Sequence, residues 1–192
     1  MSLALKVTSS SQTQTNSLIV LIGLMGSGKT SVGRALAKKL NFKFVDSDEL
    51  VEKTVKLSVR EIFAQMGEVE FRRLESVALA EACKLTQPTV LAVAGGAILR
   101  QENRTLLKDH AKCVVWLDAP TSTLVGRTGR AKHRPLLDAD PIGQLNQMRV
   151  DRESLYQQIA TYKIATAPFN VSQVVDQVIE TCELTVAQVV VN

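Results

Sequence analysis

The segment GLMGSGKT has the spacing G-x-x-x-x-G-K-[ST], a pattern built to hold phosphate. It runs Gly23, Leu24, Met25, Gly26, Ser27, Gly28, Lys29, Thr30. Successive backbone N–H groups ahead of a helix converge on an anion, and Gly23, Gly26 and Gly28 let the chain wrap closely around phosphate oxygens. Lys29 is expected to reach the β- and γ-phosphates and Thr30 to offer its hydroxyl to Mg²⁺. The ligand expected of this segment is a nucleoside triphosphate; the bland reading is a glycine-rich turn with a solvated lysine.

Carboxylates come next. In Asp46-Ser47-Asp48, residues i and i+2 of a strand end would point the same way, over the sheet edge where open α/β folds bind ligands. Phosphoryl transfer uses one carboxylate to hold metal through water and another to orient or deprotonate the attacking hydroxyl. The same aspartates could instead N-cap a helix over Glu49–Val55. Asp118, ending VVWLD, reads either as a metal carboxylate or as a cap for the helix that follows.

Positive charge has two settings. In GEVEFRRLE, Arg72 and Glu75 are i, i+3 neighbours, so the glutamate can hold a guanidinium that clamps a carboxylate or phosphate, or the two form a solvated pair. Arg73 points elsewhere. Arg127, Arg130, Lys132 and Arg134 cluster around TGRAKHRPLLDAD (Thr128 to Asp140), which has no clean period and reads as a mobile lid; Arg152 follows on the next helix. Ala94-Gly95-Gly96 marks either close backbone approach to a ligand or a tight turn.

These residues need a scaffold, and the pattern supplies one. Short β-branched runs at Leu18–Ile22, Lys43–Val45, Thr89–Val93, Lys112–Leu117 and Tyr162–Thr166 alternate with helical periods at Lys29–Leu40, Val69–Leu85, Glu102–Lys108, Thr121–Arg127, Pro141–Ala160 and Val171–Leu184. That alternation predicts an α/β fold with one five-stranded parallel sheet and helices on both faces. A length of 192 residues suits a single domain over 18–184, with a disordered tail at 1–17 and a short one at 185–192.

Composition narrows the class. Apolar residues at 45% and charged ones at 22% exclude disordered and fibrous types. The net charge of +4 equals the charge of the four basic residues around the lid, which favours an anionic ligand over nucleic acid, since no aromatic residues interleave with them. Three dispersed cysteines and two histidines make no structural zinc site and suit a reducing compartment. The longest apolar run, Leu18–Ile22, is far below the roughly 20 residues of a membrane span.

Taken together, GLMGSGKT, FVDSD, IFAQMGEVEFRRLE, AGGA, RPLL and RESLY resemble the shikimate kinases, small members of the P-loop kinase superfamily, from about Ser17 to Leu184. The resemblance implies a three-layer P-loop kinase fold with a lid, and ATP- and Mg²⁺-dependent phosphorylation of the shikimate 3-hydroxyl by a cytoplasmic monomer, or a stromal one if the source is a plant. It implies that Asp48 activates the hydroxyl, that Thr30 and Asp46 hold the metal, and that Arg72 and Arg152 grip the shikimate carboxylate. Gly95 and Gly96 would meet the ring hydroxyls, Phe63 and Phe71 would wall the ring, Arg134 would bridge substrate and moving phosphate, and Arg127 would lie against adenine. Ala94 stands where the family usually has a third glycine, so either Ala94 adopts positive φ or that position never required it. No arginine occurs in Ala167-Pro168-Phe169, which leaves adenine to apolar packing and backbone contacts. The rival within the superfamily is a kinase of another polyol acid such as gluconate; the rival outside catalysis is a nucleotide-binding relative, which should have lost Lys29, Asp48 or Arg72.

Overall fold

In the computed structural model, which describes residues 17–128 and 140–184, the apolar run Leu18–Ile22 forms β1 at the centre of a sheet. All of β1 is buried, because both faces are covered; hence the run is continuous rather than alternating. Leu18, Val20 and Ile22 enter one core with Val114, Trp116 and Leu79, while Ile19 and Leu21 enter the opposite core with Leu36, Val115 and Val178. The five strands lie in the order β2 (Lys43–Asp46), β3 (Thr89–Ala92), β1, β4 (Cys113–Asp118), β5 (Tyr162–Ala165), with every neighbouring pair parallel. Register is continuous across the centre, Ile19 lying opposite both Val90 and Cys113.

Helices α1 (Lys29–Leu40) and α7 (Val171–Thr181) cover one face. Helices α3 (Val59–Cys83), α4 (Gln101–His110), α5 (Thr121–Thr128) and α6 (Pro141–Ile159) cover the other. Between β2 and α3, α2 (Ser47–Val55) builds a satellite core, where Val51 meets Ile62, Phe71 and Ala78. The chain crosses from β1 to β2 in one direction and returns to β4 in the other, so a crevice opens beyond the C-terminal ends of β1, β3 and β4.

Two expectations are corrected. The helix predicted over Val69–Leu85 follows the non-helical Gly67, and ahead of it stands a further helical segment from Val59 that was not expected, started by the reciprocal capping box of Ser58 and Glu61. The S-x-x-E spacing was the available signal. Asp48 is not on a strand: Asp46 caps α2, its Oδ1 accepting the Asp48 N–H at 3.1 Å, and the chain turns helical at Ser47. Of the expected lid, Thr128 closes α5 and Asp140 caps α6 through the Gly143 N–H, while residues 129–139 lie outside the described part, as do 1–16 and 185–192. Cys83, Cys113 and Cys182 are buried and unbridged. Among the described residues no helix is long and apolar enough to cross a membrane.

Candidate active site

The GLMGSGKT turn joins β1 to α1 and forms the floor of the crevice. Gly23 has φ 142, and a Cβ there would stand 2.3 Å from the Leu117 carbonyl oxygen, so no larger residue fits beside β4. Lys29 folds back over the turn, its Nζ donating to the carbonyls of Gly23 (2.8 Å) and Leu24 (3.0 Å). Thr30 Oγ1 donates to Asp46 Oδ2 at 2.9 Å, which ties the first turn of α1 to the end of β2. The Ser27 hydroxyl is buried in this turn without a hydrogen-bond partner.

On one side of the turn lies a cavity of about 430 Å³ that receives Lys29, Asp46, Asp48, Phe63, Phe71, Arg72 and Arg152. The sequence-derived pair of aspartates does meet here, though by way of a cap and a helical turn. Arg72 is doubly held: Nη1 donates to both oxygens of Glu75 (3.3 and 3.1 Å), and Nε and Nη2 to Glu68 Oε1 (3.3 and 3.1 Å). Glu75 is fully buried. Burial lifts its carboxyl to about 7; Arg72 opposes that rise, Asp48 adds to it, and Arg152 opposes it. Arg152 Nη1 donates to the Gly95 carbonyl at 3.0 Å. Arg73 pairs with Glu70 on the exposed side of α3, away from the cavity.

The glycine turn after β3 is explained by these arginines. A Cβ on Gly96 would lie 2.2 Å from Arg72 Nη1, and one on Gly95 would lie 3.3 Å from Arg152 Nη1. Neither glycine nor Ala94 is among the residues of positive φ, so alanine at the first position carries no strain. What the turn requires is close approach, not conformational freedom.

A second cavity of about 490 Å³ opens on the other side of the turn and shares Lys29 and Thr30 with the first. Arg127 stands over it, donating to Thr166 Oγ1 (2.9 Å), the Thr166 carbonyl (2.9 Å) and the Gly26 carbonyl (3.4 Å). Thr166 Oγ1 in turn donates to the Ser27 carbonyl at 3.2 Å. The sequence places Thr166 only as the end of the last strand, not among the site residues; its position at the C-terminal end of a parallel strand was the signal. Phe169, Val171 and Val174 furnish an apolar wall beside Arg127, the loop Ala167-Pro168-Phe169 itself carrying no arginine.

Other candidates fall elsewhere. Asp118 neither caps α5 nor turns to the crevice; it is paired with Arg149 and Lys163, each at 3.0 Å. Arg130, Lys132 and Arg134 lie outside the described residues. Glu52, Val59 and Arg60 line the first cavity and were not foreseen, because their approach depends on α2 folding against the first turns of α3.

Two arginines and two aspartates share a crevice with a phosphate turn, and comparison with known proteins sets the family. Residues 25–183 match the family model described as Shikimate kinase. The chain belongs to the shikimate kinase family. A shikimate kinase from Symbiobacterium thermophilum is 45% identical over 84% of the chain and 94% of its own length. A solved structure described as shikimate kinase from Acinetobacter baumannii in complex with shikimate superposes with TM-score 0.83 at 37% identity, covering 88% of this chain and 93% of that one. A gluconokinase from Sinorhizobium meliloti 1021, at 21% identity and TM-score 0.62, shares the fold. As a shikimate kinase, the enzyme is an ATP-dependent small-molecule kinase whose product feeds aromatic biosynthesis.

Proposed function

We propose that the enzyme transfers the γ-phosphoryl group of ATP to the 3-hydroxyl of shikimate, with nucleotide in the 490 Å³ cavity and shikimate in the 430 Å³ one. The observation that carries this division is that Lys29 and Thr30 line both, so the transferred group passes across the phosphate turn. Arg72 and Arg152 clamp the substrate carboxylate, Gly95 and Gly96 receive ring hydroxyls, and Phe63 and Phe71 pack against the ring. Asp48 orients the attacking hydroxyl and takes its proton. Lys29 exchanges its two carbonyl partners for phosphate oxygens as nucleotide enters. Arg127 packs against adenine beside the Phe169 wall. Arg134, outside the described residues, is assigned to the moving phosphate on the family resemblance alone.

The residues present fit a magnesium ion. Thr30 Oγ1 and Asp46 Oδ2 are hard oxygen donors already 2.9 Å apart at the phosphate turn. No cluster of three or more His, Cys, Asp or Glu occurs among the described residues, so phosphate oxygens and water must supply the remaining ligands. When bound, the ion neutralises charge on the phosphates. The domain is taken as 18–184, acting as a monomer in the cytoplasm or a stroma.

The test is ADP release by the purified chain with shikimate, with gluconate, and with neither. Release that depends on shikimate is expected. Release with gluconate alone, or none with either acid, overturns the proposal.

A further inference from the structure

Behind the carboxylate clamp, two buried polar atoms lack hydrogen-bond partners: Arg152 Nε and Tyr156 Oη. One is a donor only and the other can accept, and they stand at i and i+4 on α6, hence on one helix face. Both side chains converge on Gly95, where a Cβ would lie 3.3 Å from Arg152 Nη1 and 3.5 Å from Tyr156 Oη. Tyr156 itself is 1% exposed, and its ring cannot drift. It stacks on Trp116 with centroids 5.5 Å apart, and Trp116 also carries the Lys163 ammonium 3.9 Å from its own centroid. Lys163 and Arg149 both pair with Asp118, so β4, β5 and α6 brace the pad on which the phenol sits.

A buried hydroxyl without a partner costs free energy that phenylalanine would avoid at the same volume. We propose that Tyr156 is a positioning residue for the acidic substrate: its hydroxyl accepts the Arg152 Nε–H when the guanidinium turns to meet the substrate carboxylate, and so fixes the fork of the clamp. The inference rests on the reading above that Arg152 grips that carboxylate. The Gly95 carbonyl holds Nη1 from one side and the phenol holds Nε from another, which leaves Nη2 and the second Nη1 proton for the ligand. Burial raises the Tyr156 phenol to about 12, with nearby Arg152 opposing the rise, so it stays a neutral hydroxyl across the working range.

The experiment is steady-state kinetics and thermal melting of Tyr156→Phe, Arg152→Ala and the double variant. Tyr156→Phe should raise the KM for shikimate about ten-fold, with kcat and the KM for ATP within about two-fold and the melting temperature equal to or above that of the wild type. Arg152→Ala should raise the shikimate KM by itself, and Tyr156→Phe should add nothing in its background. If Arg152→Ala raises that KM and Tyr156→Phe does not, the positioning role is overturned while the clamp stands. If Arg152→Ala leaves the KM unmoved, the clamp reading falls instead. A lowered melting temperature with unchanged KM, or a full additive effect in the double variant, would assign Tyr156 to packing or to another contact and overturn the proposal.

Discussion

Phe63 and Phe71 lie eight residues apart on α3, yet their ring centroids are 4.6 Å apart and tilted by 38°. Eight residues of unbroken helix rise about 12 Å. The two rings meet because Gly67, with φ 80 and ψ 171, breaks the helix between them and lets both halves face the 430 Å³ cavity. The aromatic wall of that cavity is therefore a product of one backbone conformation.

Gly67→Ala tests that dependence. Nothing lies within 4 Å of a Cβ at this position, so the cost is conformational, about 1–3 kcal/mol in a region almost reserved for glycine. The variant should melt a few degrees lower and show a shikimate KM raised about five-fold, with the KM for ATP within about two-fold. Wild-type melting and kinetics together would mean that the break does not shape the wall.

The glycine turn makes an ordered prediction. Gly96→Ala sets a methyl 2.2 Å from Arg72 Nη1, whereas Gly95→Ala sets one 3.3 Å from Arg152 Nη1. Gly96→Ala should therefore raise the shikimate KM more than Gly95→Ala, by about ten-fold or more, and leave ATP binding little changed. The reverse order in measured KM values would contradict close approach as the reason for the turn.

Asp46 and Asp48 should separate in their effects. Asp48→Ala is expected to keep nucleotide affinity while kcat drops by about two orders of magnitude or more. Asp46→Ala removes both the α2 cap and the Thr30 partner, so it should lower stability by about 1 kcal/mol and raise the Mg²⁺ concentration needed for half-maximal rate. Equal magnesium profiles for Asp46→Ala and wild type would end its assignment to the metal.

Glu75 gives the enzyme a pH signature. Its carboxyl titrates at about 7 when folded against 4.5 in the unfolded chain, burial outweighing Arg72 and Arg152 while Asp48 adds to the rise. Between those values the folded state binds the extra proton, so this contribution to stability is full below the lower value and is lost as pH rises through the upper one. Glu75→Gln cannot titrate and should flatten that fall. Urea unfolding of both proteins from about pH 5 to 8 decides the matter, and parallel curves would refute it.

Much of the site could be read locally. The phosphate turn needs only a strand, a helix and glycines in sequence order, and each of these is a short-range property. The Arg72–Glu75 pair was legible from helical spacing, but its depth was not: whether it is a solvated pair or a buried clamp depends on Gly96 and the end of β3 lying above it. Asp118 shows the converse. Its position after an apolar strand allowed a metal role, and Arg149 and Lys163, more than thirty residues further on, remove it from consideration.

The sequence by itself determined the α/β class, the five parallel strands, the phosphate turn and the identities of the residues that carry charge, because hydrophobic period and glycine spacing act over a few residues. The tertiary structure alone decided that Asp48 reaches the cavity from a helix, that Gly67 kinks α3, that Arg60 and Thr166 line the two cavities, and that Tyr156 is buried beside Gly95. Those facts arise from contacts between distant segments, where burial, close approach and charge pairing are set by how elements pack and leave no mark in the local order of residues.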